Sequence, residues 1–133
     1  MLMKMEHVAL NVSDPVKMAA WYTKHLGFEI VRSITTPPYT HFLKESGGTI
    51  MIEIYHNPPD QVPIYSQMHP LLLHLAFVSI DPGADKARLL EAGATWVQDE
   101  HLPDGSCLVM MRDPWGLAIQ FCKRGKPMLL SKQ

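Results

Sequence analysis

His7-Val8-Ala9-Leu10-Asn11-Val12-Ser13-Asp14-Pro15 and His74-Leu75-Ala76-Phe77-Val78-Ser79-Ile80-Asp81-Pro82 read as two copies of one phrase. His, Ala and Asp-Pro fall at matching places, 67 residues apart. Farther along, Leu26-Gly27-Phe28 is answered by Ala92-Gly93-Ala94 at an offset of 66. Ile52-Glu53-Ile54 is answered by Ile119-Gln120-Phe121 at an offset of 67. The chain has 133 residues, so the offset is half its length. Three anchors at one spacing argue for an internal duplication, which decides the fold before any single element does.

Each copy then reads as β-α-β-β-β. Residues 6–12 and 71–79 form apolar strands. Asp14-Pro15 and Asp81-Pro82 each supply a helix N-cap followed by proline at the first helical position. The helices run to about Leu26 and Ala92, where Gly27 and Gly93 suit a left-handed helix end. Three strands follow in the first copy: Phe28–Ile34, Tyr39–Lys44 and Thr49–Tyr55. In the second copy they are Thr95–Gln98, Ser106–Arg112 and Leu117–Cys122. Glu45-Ser46-Gly47-Gly48 and Asp113-Pro114-Trp115-Gly116 are hairpin turns. The fold class is therefore α+β, built from two tandem βαβββ units. Unit one spans about 5–56, a proline-rich linker 57–70, unit two 71–123 and a tail 124–133. The linker holds Pro58, Pro59, Pro63 and Pro70 and reads as extended. The tail carries the apolar Met128-Leu129-Leu130.

Composition removes several function classes. Lys and Arg number 12 against 13 Asp and Glu, a net charge of −1, which gives no basic excess for nucleic acid. No apolar run approaches the roughly 18 residues of a membrane span, and no signal-peptide core is seen, so a cytoplasmic protein is expected. Two cysteines do not make a disulfide scaffold, and reduced thiols are expected. If Arg112 pairs with Leu117 across the turn, Cys107 and Cys122 stand opposite each other.

Strand side chains alternate between faces. Val8, Leu10 and Val12 form one face of the first strand; His7, Ala9 and Asn11 form the other. Ile50, Ile52 and Ile54 oppose Thr49, Met51, Glu53 and Tyr55. Leu117, Ile119 and Phe121 oppose Ala118, Gln120 and Cys122. The apolar face covers the helix, so the mixed face carries His7, Glu53 and Gln120, with His74 placed there by its equivalence to His7. A carboxylate or imidazole turned inward needs a partner. Two imidazoles, one carboxylate and one amide oxygen at matched positions suit a divalent ion with room for water.

This pattern resembles the vicinal-oxygen-chelate superfamily, typified by glyoxalase I (lactoylglutathione lyase), from about residue 5 to 123. The resemblance rests on Glu6 to Val12, on Trp21-Tyr22-Thr23-Lys24-His25-Leu26-Gly27-Phe28, on His74 to Phe77, and on Asp113-Pro114-Trp115-Gly116-Leu117-Ala118-Ile119-Gln120-Phe121. It implies curved, barrel-like mixed sheets around a metal (nickel, zinc, manganese or iron), with His7, Glu53, His74 and Gln120 as ligands. It also implies a homodimer, and a lyase or isomerase that acts on a small substrate with vicinal oxygens through an enediolate-type intermediate. Two positions depart from the pattern. Gln120 stands where Glu is usual, so Glu53 alone is left as general base beside the ion. Asn11 stands where glutathione-using members carry Arg.

Two other functions use the same scaffold. One is a metal-free small-molecule binding or resistance protein; the other is an Fe(II) ring-cleaving dioxygenase. Asn11, Phe42, Met51, Met111 and Ala118 are expected to line the substrate pocket. Arg32 and Lys44 are within reach of a substrate carboxylate or simply solvated.

Overall fold

In a computed structural model that describes residues 1–129, the two Asp-Pro phrases do start the two helices. The Asp14 carboxylate accepts from the Lys17 N–H at 3.1 Å, and the Asp81 carboxylate from the Ala84 N–H at 3.0 Å. Helix α1 runs Pro15–Leu26 and α2 runs Pro82–Glu91. Helix α1 ends on Gly27 at φ +73. Helix α2 stops one residue earlier in its copy, so Ala92 is the cap and Gly93 takes the left-handed turn at φ +99. The Ala94 N–H then returns to the Leu89 carbonyl at 3.0 Å.

The chain divides into two compact units, Met1–Pro63 and Ile64–Gln133. The first holds β1 (His7–Asn11), β2 (Glu29–Ser33), β3 (His41–Lys44) and β4 (Met51–Tyr55) in the spatial order β1-β4-β3-β2. The second holds β5 (Leu75–Val78), β6 (Thr95–His101), β7 (Cys107–Arg112) and β8 (Ala118–Lys123) in the matching order β5-β8-β7-β6. In each, the first strand pairs parallel with the last and the other pairs are antiparallel. The helix of each unit packs on its own sheet. The helix-covered face buries Leu10, Val12, Met18, Tyr22, Leu43 and Ile54 in unit one, and Leu89, Val109, Met111, Leu117, Ile119 and Phe121 in unit two. Each such side chain contributes about 1.5–3 kcal/mol of burial. Even the irregularities repeat: β2 bulges between Ile30 and Arg32, β6 between Trp96 and Gln98.

The mixed sheets are found as expected, four strands in each unit, and neither closes into a barrel. Several expectations need correction. Leu71-Leu72-Leu73 are not strand residues. They form a turn in which the Leu72 N–H reaches the His69 carbonyl at 2.9 Å, and Leu71 and Leu72 stand 76% and 75% exposed. Pro70 has no N–H to give a ladder, and β5 begins only at Leu75. Across the last hairpin Arg112 pairs with Ala118, not Leu117, which sets Cys107 against Lys123 and Cys122 against Leu108. The cysteines are therefore not opposed, and both are free. Strand β6 extends three residues beyond the expected Gln98.

The linker is not uniformly extended. Tyr65–Gln67 form a 3₁₀ turn in which Tyr65 is buried. The Arg112 guanidinium donates to the carbonyls of Tyr65 at 2.8 Å, Met68 at 2.8 Å and Gly116 at 3.0 Å. That clamp ties residues 65–68 to the end of β7. Of the expected apolar tail, Met128 and Leu129 are exposed; Leu130 lies outside the described residues.

Candidate metal and ligand site

The parallel pairing of β1 with β4 sets Ala9 against Glu53 and His7 against Met51. His7 and Glu53 are thus diagonal neighbours on one face, and His7 Nε2 lies 3.2 Å from Glu53 Oε1. His7 Nδ1 lies 3.0 Å from Glu6 Oε1. The Phe42 ring meets His7 edge-on, with centroids 5.6 Å apart. Phe42 itself stands opposite Glu53 on one side and Arg32 on the other. It also lines a shallow pocket of about 170 Å³ with Met51, Val31 and Arg32. Both side chains of the pair are partly shielded, His7 at 34% and Glu53 at 19% exposure.

The second unit repeats the register. Ala76 pairs with Gln120, so His74 and Gln120 hold the places of His7 and Glu53. His74 Nδ1 donates to the Pro70 carbonyl at 2.9 Å, which leaves Nε2 with the lone pair. A carbonyl or carboxylate behind Nδ1 is the usual way an imidazole is oriented toward a metal. Gln120 Oε1 accepts from the Cys122 thiol at 3.4 Å. Within either unit, among the described residues, no three His, Cys, Asp or Glu side chains gather into one cluster.

The spacing in unit one fits an ion. When His7 gives its Nδ1 proton to Glu6, the Nε2 lone pair faces a carboxylate oxygen at 3.2 Å. Two electron-pair donors at that distance repel unless a proton or a cation lies between them. Ligands at right angles on an ion with bonds of about 2.1 Å lie about 3.0 Å apart. The pair therefore has the donor types and spacing of two adjacent ligands.

The expected pocket residues divide. Phe42 and Met51 lie on the face of His7 and Glu53. Ala118 shares the Gln120 face and is buried. Met111 does not: it pairs with Ile119 on the helix-covered face and is fully buried. Met110, opposite Gln120, is the residue on the pocket side. The same one-residue register that parted the cysteines moved this methionine. Asn11 lies in β1 on the same strand face as His7, and its side chain is engaged by the linker. Its carboxamide donates to the Pro58 and Gln61 carbonyls at 2.8 and 3.2 Å and accepts from the Asn57 N–H at 2.8 Å. It fastens residues 57–61 to β1. The sequence reading missed Val97, Gln98, Glu100 and His69, which line a pocket of about 140 Å³ beside Gln120. Only the β6 bulge would have shown it, because the bulge resets which side chains face the pocket.

The sequence profile of the Glyoxalase/Bleomycin resistance protein/Dioxygenase superfamily matches residues 4–121. The chain belongs to that superfamily, whose name joins enzymes with a resistance protein. Among similar solved structures is TnmS3, an antibiotic binding protein from Streptomyces sp. CB03234, at 21% identity and TM-score 0.72, covering 92% of this chain and 97% of that one. Another is a glyoxalase family protein from Enterococcus faecalis, at 28% identity and TM-score 0.69, covering 90% and 97%. A superfamily member from Sphaerobacter thermophilus shares 18% identity at TM-score 0.67, covering 91% and 97%. Comparison with curated proteins finds no match. No helix among the described residues is long and apolar enough to cross a membrane.

Proposed function

We propose that this chain is a metal-dependent lyase or isomerase of the glyoxalase I type, acting on a small substrate with vicinal oxygens. The observation that supports this reading is the His7–Glu53 pair, with its donors 3.2 Å apart on one sheet face. His7, Glu53, His74 and Gln120 would hold the ion. When bound, a divalent ion supplies a Lewis acid for the substrate's oxygens. The chain's own residues do the rest. Glu53 takes the proton from the carbon beside the carbonyl and returns it to the neighbouring carbon, acting first as base and then as acid. Gln120 contributes an oxygen but accepts no proton, so Glu53 serves both steps. The Glu6 carboxylate and the Phe42 ring fix the His7 imidazole.

Metal content tests the reading directly. Protein stripped with a chelator and dialysed against nickel, zinc or manganese should take up one ion for each set of four ligands. His7→Ala should lower that uptake. Glu53→Gln should slow proton exchange at the hydroxymethyl carbon of hydroxyacetone in D₂O by about 10²–10⁴-fold while the fold survives. Unchanged exchange in that variant would remove Glu53 from the chemistry.

The second reading is a metal-free small-molecule binding protein, like the antibiotic binding protein named above. Its support is the apolar floor of the second-unit pocket, formed by Leu108 and Met110. Protein that takes up none of the three metals would decide for it.

A further inference from the structure

The bulge in β6 divides its side chains between two tasks. Trp96 and Asp99 turn to the helix side: the Trp96 Nε1–H donates to Asp99 Oδ1 at 2.7 Å. Lys86 of α2 sits 3.3 Å from Asp99 Oδ2 and 4.1 Å above the Trp96 ring. The Asp99 charge is thereby compensated. Gln98 and Glu100 turn the other way, opposite Met110 and Leu108. Rows then run across the open face, Gln98–Met110–Gln120 and Glu100–Leu108–Cys122. Glu100 is the one formal charge in those rows, and it has no ion-pair partner among the described residues.

The pocket there holds about 140 Å³. Leu108 and Met110, both buried, make its floor, and Leu71 and Val97 stand at its sides. That volume is close to the roughly 150 Å³ that accepts a benzene-sized group, and the polar Gln98, Glu100 and Gln120 share the lining with the apolar residues. His69, at the rim, accepts the Leu71 N–H on Nδ1 at 3.1 Å, so a neutral ring carries its proton on Nε2. The exposure of Leu71, 76%, leaves an apolar side chain at the mouth for a ligand to cover. Shape and polarity select for one ring-sized apolar group, and the unpaired carboxylate selects for positive charge.

We propose that this pocket binds a small cationic amphiphile, its apolar ring on Leu108 and Met110 and its ammonium group against Glu100. The proposal rests on the metal-free binding reading above, whose floor is the same Leu108 and Met110; its test is run on the full chain after metal removal, where metal uptake decides between the two readings and the amine preference decides this one. Titration calorimetry would compare phenethylamine, 2-phenylethanol and 3-phenylpropionate, which share a ring and differ in head-group charge. The amine should bind about fivefold tighter than the alcohol at low salt, and the acid weakest of the three. Glu100→Gln should bring the amine to the alcohol's affinity and leave the alcohol unchanged, a split that a misfolded variant would not produce. Methyl NMR signals of Leu108 and Met110 should shift on titration. The proposal is overturned if the acid binds as well as the amine, if Glu100→Gln leaves the ratio intact, or if the shifts arise elsewhere. Absence of binding by all three at millimolar concentration overturns it as well.

Discussion

Gly116 and Gly27 both hold left-handed backbone, at φ +91 and φ +73, yet they face different surroundings. A Cβ on Gly116 would lie 2.6 Å from the Ser66 backbone nitrogen, whereas a Cβ on Gly27 meets nothing within 4 Å. Gly27→Ala therefore costs conformational strain alone, about 1 kcal/mol, and Gly116→Ala costs that plus displacement of the 65–67 turn, roughly 2–4 kcal/mol. Urea unfolding of the two variants should show this ordering. Cys122 adds a pH prediction. Burial raises its thiol pKa above the ordinary 9.0, opposed by the nearby Arg124 charge. The folded chain keeps this proton at a pH where the unfolded chain has released it. Stability should stay flat below pH 9.0 in this respect and fall as pH rises through the raised value. Cys122→Ala should lack that alkaline decline in urea midpoints. At this scale the His7–Glu53 pairing was legible, because strand alternation and the repeat each point to it independently. The role of Asn11 was not: its partners lie 46 to 50 residues away, in a linker without periodicity.

Strand faces depend on register, and one residue reverses them. The Asp113 to Gly116 turn shows how. The Asp113 carboxylate accepts the N–H groups of Trp115 at 2.9 Å and Leu117 at 3.0 Å, and the Asp113 N–H reaches the Leu117 carbonyl at 2.9 Å. Leu117 is consumed in closing the turn, so pairing of Arg112 passes to Ala118. Nothing in residue composition distinguishes a turn that ends at Gly116 from one that ends at Leu117. That is why Met111 and the two cysteines were misplaced while the strands themselves were found. The helix caps were legible for the opposite reason: Asp-Pro states its chemistry locally. The linker clamp belongs to this scale too. Arg112→Met keeps most of the side-chain volume and removes the guanidinium donor from the Met68 and Gly116 carbonyls, while the Tyr65 carbonyl keeps only the Met68 N–H. The expected cost is roughly 2–4 kcal/mol, read from the denaturant midpoint. Because residues 65–68 lead into Pro70, whose carbonyl holds His74, the variant should also weaken metal uptake.

For the whole molecule, the repeat sets one imidazole and one oxygen-bearing side chain at matching positions of each copy: His7 in β1 and Glu53 in β4, His74 just before β5 and Gln120 in β8. The matching positions differ in charge, Glu53 in one copy and Gln120 in the other. If the proposed set of two neutral imidazoles, one carboxylate and one amide holds a divalent ion, one unit of positive charge is left over, which favours an anionic substrate oxygen. If such an ion is bound only by the folded chain, it stabilises that state by mass action. At a free concentration one hundred times its dissociation constant the gain is about 2.7 kcal/mol. For a chain of this size that corresponds to a rise in Tm of about 8 °C. The rise should appear when nickel, zinc or manganese is added to stripped protein, and be reversed by a chelator. On the proposed ligand set, His7→Ala and His74→Ala should each reduce it by several degrees. A rise that survives His74→Ala in full would assign the ion to the first copy alone. No rise with any of the three metals, alongside the amine preference expected of Glu100, would leave the chain a ligand-binding protein.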